Sequence, residues 1–192
     1  MATVAAFILA GGQSSRMGRD KAMLMLNGRT LLEHAINLAR AVTDVVGVIG
    51  PREKIGREAI EDIYSNQGPL AGIHAALQAT AAEYNLVLSV DTPFLPAEFL
   101  RFLVEEATRC ETTVTLPYVA GRYQPLCAVY RREFLGLAET ALRAGRNKIE
   151  PLFCHTTVRR IEEAEIIGLA FAPPMFDNLN TPEDFERAQN RR

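Results

Sequence analysis

From Val4 to Ala10 the chain is an unbroken apolar run, and it stops at two adjacent glycines, Gly11 and Gly12, beyond which a polar loop carries Arg16, Arg19 and Lys21. No other stretch restricts the possible folds so sharply. The run reads as a buried strand. The glycines have no Cβ, so a phosphate can reach the backbone N–H groups at the strand end, and three cations lie close by in sequence to neutralise it. A glycine turn followed by a solvated basic loop is the plainer alternative. The spacing excludes two better-known phosphate loops. Gly18 is followed by Arg19-Asp20-Lys21 rather than Lys-Ser or Lys-Thr, and there is no Gly-x-Gly-x-x-Gly.

Composition narrows the class of partner. With 192 residues, 48% hydrophobic and 23% charged, the chain suits one well-cored globular domain spanning 1–192. A net charge of −2 supplies no field to gather nucleic acid or an anionic membrane, whereas a local basic loop can still hold a small polyanion. Cys110, Cys127 and Cys154 are odd in number and widely spaced, which points neither to a disulfide framework nor to a zinc site. The apolar N-terminal run lacks a basic leader and is too short to span a bilayer, so the expected location is cytoplasmic.

Further along, Asn27-Gly28 marks a turn. Thr30 and Glu33 form the pattern of a capping box, and Leu31, Leu32, Ala35, Ile36, Leu38 and Ala39 give a helix over 31–41 its core-facing side. A strand over 45–49 ends at Gly50-Pro51. A helical stretch over 52–59 then leads to Ile60-Glu61-Asp62-Ile63-Tyr64, whose alternation predicts a short strand. Gly68-Pro69-Leu70-Ala71-Gly72 precedes a helix over 73–82. Strands over 85–90, 112–116 and 126–130, an edge strand over 156–161, and helices over 97–109 and 132–144 complete the pattern. Thr181, Pro182 and Asp184 open a last helix that reaches Gln189. Strands alternating with helices predict a three-layer α/β sandwich: a mostly parallel, Rossmann-like sheet with helices on both faces and a ligand beyond the strands' carboxyl ends.

Several polar residues fall near those ends. Asp91 follows the apolar run 85–90, where a carboxylate is costly unless paired, hydrogen-bonded or metal-bound. It is either a strand cap or a ligand for the Mg²⁺ that accompanies a triphosphate. Asn178 and Asn180 could approach a phosphate or the metal from the other side, or could simply cap the turn before the last helix. Arg16 and Lys21 would neutralise charge as pyrophosphate departs, chemistry that needs no covalent nucleophile. Asp62 could accept from guanine's ring N–H and its amino group together, a donor pair that adenine lacks. Gly68 and Gly72 could let a base lie against backbone, or merely shape the turn.

The stretch Leu9-Ala-Gly-Gly-x-Ser-x-Arg16-Met-Gly-x-Asp-Lys21 resembles the signature of nucleotidyltransferases that activate sugars and cofactors. Together with Ile60-Glu-Asp62, Gly68-Pro-Leu-Ala-Gly72, Asp91-Thr-Pro-Phe, Gly121-Arg-Tyr-Gln-Pro-Leu and Asn178-Leu-Asn-Thr-Pro-Glu, it is most similar to the molybdenum cofactor guanylyltransferases. The resemblance runs from residue 7 to residue 190. It implies a nucleotide-diphospho-sugar transferase-like sandwich that moves GMP from GTP to the terminal phosphate of molybdopterin. By it Leu9, Ala10, Gly11, Gly12 and Lys21 bind GTP, Asp62 contacts guanine, and Asp91 binds Mg²⁺ and nucleotide. The implied partners are GTP, Mo-molybdopterin and the molybdoenzymes or chaperones that take the product, with no nucleic acid or membrane and a monomer favoured. Some family members carry a nucleotide-contacting asparagine in the second strand, where this chain has Val45-Val-Gly-Val-Ile-Gly50. Cytidylyl transfer to the same acceptor, nucleotidyl transfer to a sugar phosphate, and a non-catalytic nucleotide-binding delivery module remain the alternatives.

Overall fold

A computed structural model of the chain describes residues 3–11 and 21–189. Its first half runs β1 (Val4–Leu9), the small hairpin β2 (Met25–Leu26) and β3 (Arg29–Thr30), α1 (Leu31–Arg40), β4 (Val46–Ile49), α2 (Arg52–Ile55), α3 (Pro69–Gln78) and β5 (Tyr84–Ser89). The second half continues with α4 (Ala97–Cys110), β6 (Val114–Val119), β7 (Arg122–Tyr123), β8 (Cys127–Arg131), α5 (Phe134–Arg143), β9 (Val158–Glu162), α6 (Glu163–Gly168) and α7 (Pro182–Gln189).

The strands other than the β2–β3 hairpin form one seven-stranded sheet in which β1 lies between β4 and β5, parallel to both. β8 pairs antiparallel with β5 and with β6; β6 then pairs antiparallel with β7 and parallel with β9. Following those pairings, β4, β1, β5, β6 and β9 point one way, and only β8 and β7 are reversed. The sheet is therefore mostly parallel in direction, as the apolar runs predict. The chain turns back between Val119 and Arg122, and β7 and β8 both run antiparallel to β6.

The strictly alternating side chains of β1 explain the three layers. Ala6, Ile8 and Ala10 pack with α1, α4 and α7 on one face, while Ala5, Phe7 and Leu9 pack with α3 and α5 on the other. Both faces are thus buried, which is why the run contains no polar residue. At α1 the predicted capping box is present: Thr30 Oγ1 accepts from the Glu33 N–H at 3.1 Å, and Glu33 Oε2 accepts from the Thr30 N–H at 2.7 Å. Such a cap is worth about 1 kcal/mol.

Three predicted elements differ from those observed. The helical stretch over 52–59 shrinks to the four residues of α2. The strand over 60–64 reduces to one parallel bridge, Ile60 to Ile49, and Asp62 lies in a loop. Its alternation does not report a sheet face, since Ile63 is 64% exposed. The helix expected over 73–82 starts earlier, at Pro69: Gly68 with φ of 68° forms its N-cap, and proline takes the first turn.

The helices place the ligand crevice. β1 and β5 lead to α1 and α4 on one face, whereas β4 leads to α3 on the opposite face. Connections leave β1 and β4 in opposite directions, which opens a crevice beyond their carboxyl ends.

Candidate nucleotide site

At that crevice the ends of β1 and β4 touch through glycines. Ala10 N–H donates to the Ile49 carbonyl at 2.9 Å, and a Cβ on Gly50 would come within 3.2 Å of the Gly11 nitrogen. The close approach leaves Gly11 exposed at the crevice, directly after the buried Leu9 and Ala10. Gly50 was not among the expected site residues; its position immediately after an apolar strand was the available signal. Gly12 and Arg16 lie outside the described residues.

The structure draws three expected residues to one point. Lys21 Nζ donates to Asp91 Oδ2 at 2.9 Å and to Asn180 Oδ1 at 2.8 Å, across sequence separations of 70 and 159. Each is positioned by a different element. Lys21 opens a 3₁₀ turn that runs into the β2–β3 hairpin, and Asp91 sits two residues beyond β5. Asn180 precedes the capped start of α7, where Asp184 Oδ2 accepts from the N–H groups of Asn180 and Thr181 at 3.2 and 3.0 Å, and Thr181 Oγ1 accepts from Asp184 N–H at 3.1 Å. The backbone locks the last two together, because Leu179 N–H donates to the Asp91 carbonyl at 3.0 Å. Leu126, which ends the Gly121–Leu126 motif, accepts at its carbonyl from Ser89 N–H and so flanks the same strand end. Asn178 does not join the three. It lines an adjacent cleft of about 230 Å³ with Phe94, Asp177, Leu179, Asp184, Arg187 and Ala188.

Asp62 lies on the β4–α3 connection, at the same end of the sheet. Ile60, two residues earlier, is pinned to β4 by its N–H to the Val48 carbonyl and by Gly50 N–H to its own carbonyl, both at 2.9 Å. Burial, with Glu61 beside it, raises the Asp62 pKa above that of an ordinary aspartate. Among the described residues no cation pairs with it. Gly68, at the N-cap of α3, is exposed and has open space where a side chain would project. Gly72 corrects its expected setting. It lies inside α3 rather than in the turn before a helix, it is buried, and a Cβ on it would meet Leu9 Cδ2 at 3.0 Å. Its small size serves the contact between α3 and β1. In the second strand Gly47 is closely packed, because a Cβ there would come within 2.7 Å of the Phe7 ring.

Chemically, two hard oxygens of Asp91 and Asn180 converge on one positive charge, the ammonium of Lys21. That is the donor set Mg²⁺ prefers, one or two protein oxygens completed by phosphate and water. Among the described residues no group of three His, Cys, Asp or Glu side chains could form an all-protein metal cage. No helix among them is long and apolar enough to cross a membrane.

The match to known proteins is consistent with this geometry. Residues 6–157 match the family model described as the MobA-like NTP transferase domain. The chain belongs to that family. As a member of it, the chain is a nucleotidyltransferase involved in molybdenum cofactor biosynthesis. It is 32% identical over 98% of its length to the molybdenum cofactor guanylyltransferase of Desulfosudis oleivorans, of which the match covers 96%. It is 33% identical to a probable molybdenum cofactor guanylyltransferase of Carboxydothermus hydrogenoformans, covering 94% of this chain and 92% of that protein. Among solved structures, molybdopterin-guanine dinucleotide biosynthesis protein A of Archaeoglobus fulgidus superposes with a TM-score of 0.85 at 26% identity over 97% of both chains. A CMP:2-keto-3-deoxy-manno-octonic acid synthetase, at a TM-score of 0.75 and 16% identity over 98% of both chains, shares the fold.

Proposed function

We propose that the protein transfers GMP from GTP to the terminal phosphate of molybdopterin, with Mg²⁺, releasing pyrophosphate and leaving molybdopterin guanine dinucleotide. The observation that carries this reading is the convergence of Lys21, Asp91 and Asn180 at the carboxyl end of the sheet, in a chain similar throughout to named guanylyltransferases. An oxygen of the acceptor phosphate attacks the α-phosphorus, the new P–O bond forms, and the bond to the β-phosphate oxygen breaks with that oxygen keeping the electron pair. The protein's part is to hold and neutralise. Backbone groups at Gly11, with Gly12 and Arg16, receive the triphosphate, and the Lys21 ammonium offsets the charge that builds on the leaving pyrophosphate. When bound, Mg²⁺ would add further charge neutralisation, held by Asp91 and Asn180 together with phosphate oxygens. Asn178 lies beside them, on the cleft where the acceptor would enter.

The half-buried Asp62 carboxylate, without a cationic partner among the described residues, supports guanine as the base. Accepting from two guanine donors would restore what burial costs it, and no such donor pair exists on adenine. Gly68, open at the N-terminus of α3, offers a backbone surface close to that loop. The product would leave for a molybdoenzyme or its chaperone.

The test is incubation of the purified protein with Mo-molybdopterin, Mg²⁺ and each of the four NTPs in turn. Pyrophosphate released with GTP, together with a guanine dinucleotide product, is expected. Turnover with CTP or only with a sugar phosphate would replace GTP or molybdopterin in the assignment, and GTP binding without pyrophosphate would leave a delivery module.

A further inference from the structure

The loop carrying Asp62 is tied to the core on both sides, and the second tie reaches α3 and α5. On one side Ile60 bonds to β4. On the other, Tyr64 turns its ring onto His74 of α3, with ring centroids 5.0 Å apart and planes at 85°. Its Oη accepts from Arg143 Nε of α5 at 3.4 Å, and Arg143 Nη2 is itself held by Glu139 Oε1 at 2.6 Å. His74 is 1% exposed, and its Nδ1 has no hydrogen-bond partner among the described residues. A buried imidazole with an unmet ring nitrogen is an expensive way to fill helix–helix space that leucine would fill without cost. What it offers in exchange is a flat polar ring for Tyr64 to meet edge-on. Gln67 N–H bonds back to the Tyr64 carbonyl at 3.2 Å, so the loop closes on this residue before α3 begins.

We infer that Tyr64, seated on His74 and tied by Arg143, is a positioning residue that fixes the Asp62 carboxylate for base selection. The two anchors, Ile60 and Tyr64, stand two residues either side of Asp62, so a shift at Tyr64 is passed to the carboxylate through two peptide units. Selectivity for guanine is then set partly by the α3–α5 face, through residues that do not touch nucleotide. This inference rests on the assignment of Asp62 to the base.

Kinetics with GTP and with ITP, which lacks the amino group, at saturating acceptor and Mg²⁺ test it. A charge-assisted hydrogen bond makes the wild-type preference for GTP about tenfold or more. Asp62→Ala should bring the GTP:ITP ratio of kcat/KM close to one. Tyr64→Ala should lower the ratio about fivefold and raise KM for GTP, with kcat changed by less than about threefold. Tyr64→Phe, which keeps the ring on His74, should restore most of it. Arg143→Met, at a 71%-exposed helix end, should lower the ratio about twofold and decides the matter if Tyr64→Ala does not fold. An unchanged ratio in both Tyr64→Ala and Arg143→Met, while Asp62→Ala abolishes the preference, overturns the positioning role alone. An unchanged ratio in Asp62→Ala overturns the base assignment and this inference with it.

Discussion

The corner formed by Lys21, Asp91 and Asn180 and the loop around Asp62 are built on opposite principles. In the first, three distant segments bring complementary groups into direct contact, and a backbone bond from Leu179 to Asp91 holds two of them in register. In the second, a carboxylate is half-buried without a counter-charge among the described residues, on a connection with almost no regular structure. On the proposed assignment, the difference matches what each would recognise. Triphosphate and metal are alike for every nucleotide, so their residues can be preorganised with one another. A base is recognised through donors that only the correct ligand brings, so its acceptor must be left wanting until that ligand arrives.

Breaking the first region should have the largest effect. Asp91→Ala is expected to lower kcat by about a thousandfold, in the range for losing a central electrostatic group, while thermal unfolding shifts by no more than about 2 kcal/mol because the pair is only partly buried. Near-normal steady-state turnover would remove Asp91 from the reaction. Lys21→Met should cost about a hundredfold in kcat/KM, and the loss should depend on the triphosphate rather than the base. Equal fractional losses with GTP and ITP are the result to look for.

The second region is probed more gently by pH. Because burial raises the Asp62 pKa, its carboxylate takes up a proton at a higher pH than an ordinary aspartate would. The protonated form loses one acceptor of the pair offered to guanine, so KM for GTP should rise as pH falls, beginning above the usual aspartate range, with a span of about tenfold. Asp62→Asn should show a high, flat KM over the same interval. A wild-type KM that stays flat would detach Asp62 from the base.

The smallest effect belongs to Gly72, which separates packing from binding. In Gly72→Ala the new methyl meets Leu9 at 3.0 Å. Overpacking of about 1–3 kcal/mol, less about 1 kcal/mol gained in helix propensity, leaves a loss of about 1 kcal/mol by denaturant unfolding. KM for GTP should stay within about twofold. A tenfold rise would return Gly72 to the nucleotide.

The two regions were also unequally legible in the sequence. β1 could be read because both its faces are buried, and Thr30, Thr181 and Asp184 because helix caps depend on neighbours only a few residues away. Lys21, Asp91 and Asn180 could each be suspected from strand-end or cap position, but their meeting depends on sheet order. The Asp62 loop misled, since Ile60 and Ile63 imitate a strand although only Ile60 finds a partner. The tie from Tyr64 to His74 and Arg143 left no signal at all, because it joins three elements whose neighbourhood arises only when α3 and α5 pack on the same face.

The central claim is that the group transferred is the nucleotidyl, not a terminal phosphate. GTP labelled separately at the α- and γ-phosphates, supplied with Mo-molybdopterin and Mg²⁺, tests it most directly. The account predicts α-label in the pterin product and γ-label wholly in pyrophosphate, one for one. Label from the γ-phosphate in the product, with GDP released, would contradict it.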